Sequence, residues 1–260
     1  MSDDLVVEQS DAIATLTINR PKVRNAISFK MYQRIPQLIA QIEANPKSKV
    51  LVIRGGGNRA FAAGADISEF QTVRASGAGA MAYNAAVADA EHAICDLSKP
   101  TIAMVHGFCI GGGCGLALSC DIRLADTSSR FGITPARLGL VYSLESTKRL
   151  IDVVGPAEAR YILYSGRQVN AERALRTGLV NELHAPEKLA AATYSLASEI
   201  CDRGPISLRR TKEIVGLILH GQSEDDAHTI ELRNSSFDSK DYAEGVRAFQ
   251  EKRAPKFTGI

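Results

Sequence analysis

The sequence predicts an α/β core followed by a helical C-terminal portion. Up to about residue 126, short apolar runs typical of strands alternate with helical patterns. From about residue 146 onwards, helical patterns fill most of the chain. Towards the end of the first part, residues 107–121 (GFCIGGGCGLALSCD) place a run of glycines before an apolar segment with room for about three helical turns. This order of elements favours a sheet with helices packed on it and further helices appended.

The first elements are a predicted hairpin and a predicted helix. Residues 5–8 and 12–18 alternate or run apolar on either side of Ser10 and Asp11, which predicts two antiparallel strands. A polar turn over residues 19–25 follows. Ser28 can cap a helix, and Pro36 inside that helix predicts a kink or an early break. The apolar positions that keep helical spacing are Met31, Ile35, Leu38, Ile39 and Ile42.

Short buried strands and loops come next. Residues 50–53 predict a strand that ends at the glycines of 55–57, and residues 61–67 (FAAGADI) predict a loop of small residues closed by an acid. Residues 77–97 are alanine-rich and predict a helix that stops before Pro100.

Glycines and capping residues mark the predicted ends of the remaining elements. Residues 101–105 and 122–125 predict two more strands. In the helical second half, Asn170 is a predicted helix cap, and Gly166 and Gly178 are predicted helix stops.

The glycine run over residues 111–113 has two interpretations. Without Cβ atoms the backbone can approach a ligand closely, and a helix that begins there leaves its first N–H groups free for an anion or a developing oxyanion. Alternatively, small residues allow this helix to pack tightly against a sheet. The glycines alone do not decide between the two.

Composition and charge narrow the function classes. The chain has 260 residues, 45% of them hydrophobic and 23% charged, and a formal net charge of +2. Because the charge is close to zero, and the basic residues are scattered with only short clusters, no nucleic-acid partner is expected. No apolar run approaches the roughly 20 residues of a membrane span, so no membrane association is expected.

The five cysteines favour a cytoplasmic protein without structural disulfides. Their number is odd and several lie in apolar runs, as reduced thiols do. No spacing of cysteine and histidine matches a zinc site, so no metal is expected. The N-terminal residues lack the apolar core of a signal peptide.

Six stretches together resemble the crotonase, or enoyl-CoA hydratase/isomerase, superfamily. They are NRPKVRNAIS at 19–28, FAAGADISEF at 61–70, GFCIGGGCGLALSCDIRLA at 107–125, FGITPARLGL at 131–140, ALRTGLVNEL at 174–183 and EGVRAFQEKRAPKF at 244–257. The resemblance implies a spiral of ββα units with a helical C-terminal trimerisation region. It divides the chain into a core over residues 1–195 and a helical region over 196–260.

The resemblance also implies partners and site residues. The substrate is expected to be an acyl-CoA thioester, with CoA as part of the substrate and no separate cofactor. The protein is expected to be a homotrimer or a dimer of trimers. The backbone N–H groups of Ala65 and Gly112 would hold the thioester oxygen as negative charge builds on it, a type of contact that is commonly worth about 3 kcal/mol of transition-state stabilisation.

The resemblance also implies contacts to CoA at a few positions of this chain. Arg24 stands where relatives place a basic residue near the nucleotide phosphates, and Lys252 resembles a lysine that reaches CoA from near the C-terminus. The residues expected to flank the adenine and pantetheine lie in the 63–67 segment: Ala63, Asp66 and Ile67. For Arg24 and Lys252, a role as solvated surface charge is an open alternative.

Two departures from the family pattern bear on the reaction. Where a typical hydratase has glutamates, this chain has Gly115 and Ala136. Since hydration needs one group to activate water and another to deliver a proton, the sequence favours decarboxylation or isomerisation over ordinary hydration.

The loop over residues 142–146 differs from the hydratase pattern and contains side chains that could replace the missing carboxylates. Tyr142 and Glu145 replace glycines of the hydratase pattern. Tyr142 is a candidate to orient a substrate carboxylate or to protonate the enolate, and Glu145 is a candidate general base. Core packing for Tyr142 and a solvent-facing carboxylate for Glu145 are the alternatives. Hydration by a relocated Glu145, or a CoA-binding protein without catalysis, also remain open.

Two further residues have structural interpretations. His106 stands where relatives commonly have asparagine, and a structural hydrogen bond is expected for it. Cys114 lies beside the predicted oxyanion site and is expected to pack rather than to act as a nucleophile.

Overall fold

The computed structural model describes residues 3–259. The strands of this part are β1 Leu5–Ser10, β2 Ile13–Ile18, β3 Val50–Gly55, β4 Ala60–Ala62, β5 Thr101–Val105, β6 Phe108–Ile110, β7 Ile122–Asp126, β8 Arg130–Gly132, β9 Val169–Asn170 and β10 Glu182–His184. The helices are α1 Phe29–Ala44, α2 Phe70–Val73, α3 Gly77–Asp96, α4 Gly112–Leu118, α5 Leu144–Ser165, α6 Ala171–Arg176, α7 Leu189–Cys201, α8 Pro205–Leu219, α9 Ala227–Asn234 and α10 Lys240–Gln250.

The strands form two sheets. The six-stranded sheet has the order β1-β2-β3-β5-β7-β10, and the four-stranded sheet has the order β4-β6-β8-β9. β1 and β2 pair antiparallel, as the predicted hairpin requires, whereas β2, β3, β5, β7 and β10 run parallel. In the second sheet β4, β6 and β8 are parallel and β9 is antiparallel to β8.

The chain alternates between the sheets in a repeating order. In each of three successive units, β3-β4-α3, β5-β6-α4 and β7-β8-α5, the first strand joins the six-stranded sheet and the second joins the four-stranded sheet before a helix follows. This is the spiral of ββα units that the resemblance implies, and the helices α7 to α10 close the chain as a mainly helical C-terminal region. The fold class is therefore confirmed.

The helix boundaries agree with most of the capping residues read from the sequence. Ser28 accepts a hydrogen bond from the amide of Met31 at the start of α1, and Asn170 does the same for Arg173 in α6. Gly166 ends α5 in a left-handed conformation with φ of 57°. The early break expected at Pro36 is wrong, because α1 continues through Pro36 to Ala44.

Two apolar clusters form the core. The larger one joins side chains of α1 and α3 with side chains of both sheets, and the smaller one packs α7 against the other face of the six-stranded sheet. α7 spans residue 195, where the sequence places the end of the core, and that division stays a prediction. Within residues 3–259, no helix combines the length and the hydropathy that crossing a membrane requires.

Candidate active site

The loop after β4 is fixed against the start of α1 by a parallel bridge. The amide of Ile27 donates to the carbonyl of Gly64 at 2.8 Å, and the amide of Asp66 donates to the carbonyl of Ile27 at 2.9 Å. The bridge therefore holds Ala65 on both sides without using the amide of Ala65 itself. Gly64 adopts a φ of 104°, which a residue with a side chain rarely does.

The glycine run after β6 comes directly against this loop. A Cβ atom built on Gly111 would lie 3.8 Å from the Cα of Gly64, and one built on Gly112 would lie 3.9 Å from the amide nitrogen of Ala65. Gly112 is the first residue of α4, where an amide has no intrahelical acceptor. The structure thus brings the two amides that the sequence singles out to neighbouring positions.

A tyrosine that the sequence does not single out stands at the same place. Tyr32 lies on α1, is 1% exposed, and directs its hydroxyl at the backbone of Gly112. A Cβ atom on Gly112 would overlap that hydroxyl oxygen. Glycine at position 112 is therefore required by the close approach of Tyr32.

A buried carboxylate lies one helical turn further along α4. Glu91, on α3, is 2% exposed, and its Oε1 atom occupies the space where a Cβ atom of residue 115 would stand. Its Oε2 atom accepts a hydrogen bond from the hydroxyl of Ser146 at 2.8 Å and pairs with the guanidinium of Arg149. These two partners orient the carboxylate so that Oε1 faces Gly115.

Tyr142 completes this cluster from the loop before α5. Its hydroxyl oxygen would be 3.5 Å from a Cβ atom on Gly115, and it is buried without a hydrogen-bond partner in residues 3–259. Burial raises the pKa of Tyr142 well above its usual value, and the charge of Glu91 raises it further. The Tyr142 hydroxyl therefore stays protonated at neutral pH and can act as a donor.

Glu145 has different surroundings from Glu91. It lies in the first turn of α5 with 54% of its side chain exposed, and its Oε2 atom is 2.5 Å from Nε2 of His92. Arg149 bridges the two acids, since its second terminal nitrogen is 3.9 Å from Glu145. The base role predicted for Glu145 stays a prediction, but the carboxylate that is buried next to Gly115 belongs to Glu91.

Four of the five residues predicted to contact CoA lie around the 63–67 loop. The amide of Ala63 donates to the carbonyl of Arg24 at 3.0 Å, and the exposed Arg24 side chain lies 5.2 Å above the ring of Phe108. Asp66 pairs with Arg20 at 2.8 Å. Ile67 is 69% exposed.

Hydrogen bonds to the carboxylate of Asp66 stabilise its negative charge. The hydroxyl of Ser68 and the guanidinium of Arg20 lower the pKa of Asp66 by hydrogen bonding to its carboxylate. The side chain therefore remains an anion that holds its own loop in place.

Lys252 stands apart from this group in the described structure. It follows α10, is exposed, and has a φ of 53°. Over residues 3–259 its side chain makes no hydrogen bond or ion pair, so its predicted contact with CoA stays a prediction.

Comparisons with known proteins identify the family of the chain. The model of the enoyl-CoA hydratase/isomerase family matches residues 8–259. The chain belongs to this family. A crotonyl-CoA hydratase from Syntrophomonas wolfei is 33% identical over 98% of both chains, and a short-chain-enoyl-CoA hydratase from Clostridium acetobutylicum is 31% identical over 96% of both. The crystal structure of an enoyl-CoA hydratase/carnithine racemase from Magnetospirillum magneticum superposes with a TM-score of 0.96 at 34% identity, covering 100% of this chain and 97% of the other.

The two positions at which the sequence predicts missing glutamates have different surroundings. Gly115 is buried against the carboxylate of Glu91, whereas Ala136 is exposed in a short 3₁₀ helix over Pro135–Leu138. A carboxylate from another helix therefore lies beside Gly115, and the absence of the hydratase glutamates stays a prediction.

Glu91 and Tyr32 lie at the site although no sequence motif indicates them, but the sequence contains a signal for each. Glu91 lies on the buried face of α3 with Tyr83, Ala90 and Ile94, so it is an acid among apolar positions of helical spacing. Tyr32 is a polar-tipped side chain on the apolar face of α1. Such residues mark a buried polar site but do not tell which other residues surround it.

The remaining candidates are Cys114 and His106, for which the sequence predicts structural roles. The thiol of Cys114 donates to the carbonyl of Cys109 at 2.7 Å, as expected of a packed residue. The Nε2 atom of His106 is buried without a hydrogen-bond partner in the described chain, so the hydrogen bond expected for His106 is not seen at this atom. Among residues 3–259, no group of three or more acidic, histidine or cysteine side chains is placed to hold a metal ion.

Proposed function

We propose that this protein is an acyl-CoA isomerase that shifts a double bond along the acyl chain through a thioester enolate. The observation that carries the proposal is the buried carboxylate of Glu91, which stands beside Gly115 while position 136 has no carboxylate. A shift of a double bond from the β,γ to the α,β position needs one base, because the same group can remove the Cα proton and return a proton to Cγ.

The steps follow from the positions of the groups. Glu91 takes a proton from Cα, and the electron pair of that bond delocalises onto the thioester oxygen. The amides of Ala65 and Gly112 stabilise this oxygen as its charge grows. Glu91, now protonated, delivers the proton to Cγ, the carbonyl re-forms, and the double bond lies between Cα and Cβ. The hydroxyl of Tyr142, which lies beside Gly115 as Glu91 does, is available to donate a hydrogen bond to the carboxylate of Glu91.

Isomerisation accounts for the site better than decarboxylation does. A malonyl-type substrate would bring its own carboxylate next to Glu91, and like charges at close range repel. Ser146 and Arg149, which could otherwise hold a substrate carboxylate, already bind Glu91. For this reason we favour isomerisation of the two reactions that the sequence suggests.

Hydration is a second candidate, favoured by the relatives that are named hydratases. In that case Glu91 would serve as the relocated carboxylate, in place of the Glu145 that the sequence suggests, and Tyr142 would hold the water. The two reactions differ in mass balance, since hydration adds one water to the thioester and isomerisation adds nothing.

The deciding experiment incubates the protein with 3-enoyl-CoA, 2-enoyl-CoA and malonyl-type CoA thioesters in heavy water and measures the products by mass spectrometry. Isomerisation gives 2-enoyl-CoA from 3-enoyl-CoA without added water, and deuterium enters at Cγ only to the extent that protonated Glu91 exchanges with the solvent before it returns the proton. We expect Glu91→Gln to lower turnover by about 10²–10⁴-fold, the usual contribution of a general base. Glu145→Gln, the matched control, should keep most of the activity.

Three outcomes would reject the proposal. Added water would indicate hydration, loss of CO2 from a malonyl thioester would indicate decarboxylation, and tight binding without turnover of any thioester would indicate a non-catalytic CoA-binding protein. If Glu91→Gln turned over substrate at the wild-type rate, the assignment of the base would be wrong.

The proposal also includes the binding partners. CoA would lie along the 63–67 loop with Arg24 near its phosphates and Lys252 reaching it from the C-terminal region, and no separate cofactor is needed because CoA enters with the substrate. We propose that the enzyme works in the cytoplasm, which suits its five unpaired cysteines.

A further inference from the structure

We infer that the hydroxyl of Tyr32 is a third hydrogen-bond donor to the thioester oxygen, beside the amides of Ala65 and Gly112. This inference rests on the proposed function insofar as that function requires a thioester bound at these amides. It assigns a catalytic role to a side chain on α1, an element that carries none of the other proposed catalytic groups.

The position of the hydroxyl carries the inference. A Cβ atom built on Gly112 would overlap the hydroxyl oxygen of Tyr32 and would lie 3.9 Å from the amide nitrogen of Ala65. The hydroxyl of Tyr32 and the amide of Ala65 therefore both lie next to Gly112, whose own amide is the other proposed donor. Donors that converge in a water-free site are the arrangement that stabilises a developing oxyanion.

The ring of Tyr32 is held so that its hydroxyl points there. The Tyr32 ring packs edge-on against Tyr83 of α3, with centroids 5.7 Å apart, and Tyr83 in turn stacks on Phe29 at 5.8 Å. Tyr32 is also among the fully buried side chains of the larger core cluster. A donor that is fixed before the substrate arrives needs no reorganisation during the reaction.

The hydroxyl remains a donor at neutral pH. Burial raises the pKa of Tyr32 well above its usual value, and the nearby Tyr83, Glu91 and Tyr142 raise it further. A neutral phenol has one O–H proton to donate.

Tyr32 makes the oxyanion site testable in a way that the amides do not, because a side-chain donor can be removed alone. The probe is butyryl-CoA labelled with ¹³C at the carbonyl carbon, a saturated thioester that cannot isomerise. Isotope-edited difference infrared spectroscopy of the bound probe measures how strongly the site polarises the carbonyl. We expect the wild-type protein to lower the carbonyl stretching frequency, and Tyr32→Phe to reduce that shift.

The control is Tyr194→Phe, which removes a tyrosine hydroxyl of α7 that bonds to Thr15 and should leave the shift unchanged. In turnover assays, Tyr32→Phe should lower kcat at least tenfold with little change in KM. Thermal melts confirm that both variants are folded. If Tyr32→Phe is unstable, 3-fluorotyrosine incorporated at position 32 keeps the ring in place, and its more acidic O–H should enlarge the shift.

The inference is overturned if the carbonyl shift and kcat of Tyr32→Phe equal those of the wild type. It is equally overturned if the variant turns over substrate faster, because the hydroxyl would then obstruct the site. Because butyryl-CoA undergoes no reaction, a lost shift in Tyr32→Phe supports this role even if the reaction is not isomerisation. Isomerisation with an unaffected shift would refute the Tyr32 role alone.

Discussion

At the scale of single residues, the carboxylate of Glu91 fills the space that a side chain at position 115 would occupy. In a helix, alanine in place of glycine usually adds about 0.5–1 kcal/mol of stability. Here a Cβ atom on residue 115 would overlap Oε1 of Glu91. We therefore expect Gly115→Ala to lower the free energy of unfolding by about 1–3 kcal/mol, the usual cost of overpacking.

Removing the side chain of Glu91 should reverse the sign of the effect of Gly115→Ala on the free energy of unfolding. In a Glu91→Ala background, Gly115→Ala should become neutral or stabilising, as measured by denaturant unfolding of the four proteins of the cycle. Equal effects of Gly115→Ala in both backgrounds would show that Glu91 does not occupy this space in solution.

His106 should make the stability of the protein depend on pH near neutrality. Burial lowers the pKa of His106, and Arg54 lowers it further, while Asp126 acts in the opposite direction. The unfolded chain, with a histidine pKa near 6.5, then binds the proton more readily than the folded one. Stability is present above that value and is lost as the pH falls through it towards the lowered pKa of the folded state.

We expect His106→Asn to reduce the drop in melting temperature between pH 7.5 and pH 5.5. His220→Asn, at a histidine exposed at the end of α8, is the control and should keep the wild-type drop. If all three proteins lose the same stability over this interval, the titration of His106 does not contribute.

The residues of the site differ in how far the sequence could predict them. Ala65 and Gly112 stand in glycine motifs whose backbone conformation is set locally, and the structure brings them together. Glu91 and Tyr32 reach the site only because α3 and α1 pack side by side over it. That contact joins residues far apart in the chain, and local patterns do not specify it.

At the scale of secondary-structure elements, the longer helices and the strands of the six-stranded sheet other than β10 follow the periodicity of the sequence. The strands of the four-stranded sheet do not, because β4, β6 and β8 have three residues each and fall within glycine-rich loops. Three residues are too few to show a period of two. They form strands because the ββα spiral aligns them.

The segment after α10 is held by two acids of that helix. Asp241 accepts hydrogen bonds from the amides of Thr258 at 2.7 Å and Gly259 at 3.1 Å. Glu244 accepts from the amide of Lys256 at 2.9 Å and pairs with Arg253 and Arg247, which lower the pKa of Glu244. This segment begins next to Lys252, so its attachment bears on where that lysine lies.

We expect Glu244→Gln to raise the hydrogen-exchange rate of residues 256–259 at neutral pH, because the neutral amide binds the two arginines more weakly. In the wild type the attachment should loosen only as the pH falls below about 4.5, the usual value for a glutamate, through the lowered pKa. Glu251→Gln, which removes only a pairing with Arg253, is the control. Unchanged exchange in Glu244→Gln would contradict this account of the attachment.

At the scale of the whole molecule, the C-terminal helices leave much apolar surface uncovered. α8 has no buried residue in the chain as described. The large apolar side chains exposed on α8 to α10 and their connections are Val215, Ile218, Leu219, Ile230, Phe237, Tyr242, Val246 and Phe249. A cavity of about 650 Å³ also lies between the end of α3 and α8, lined by residues that include Cys95, Arg210 and Leu217. Exposed apolar surface of this extent is typical of a face that another protein chain covers.

The occupant that we predict is a second copy of this chain, in a homotrimer or a dimer of trimers. Phe249 is 86% exposed on α10 and Ile218 is 59% exposed on α8, so a charge at either position would be buried on assembly. Light scattering after size-exclusion chromatography should give the mass of three or six copies for the wild type, and of smaller species for Phe249→Glu and Ile218→Glu. Val7→Glu, on the exposed face of β1, should keep the wild-type mass. A monomeric wild type at micromolar concentration would refute the prediction, and so would variants that assemble normally, since the apolar face of α8 to α10 would then require another explanation.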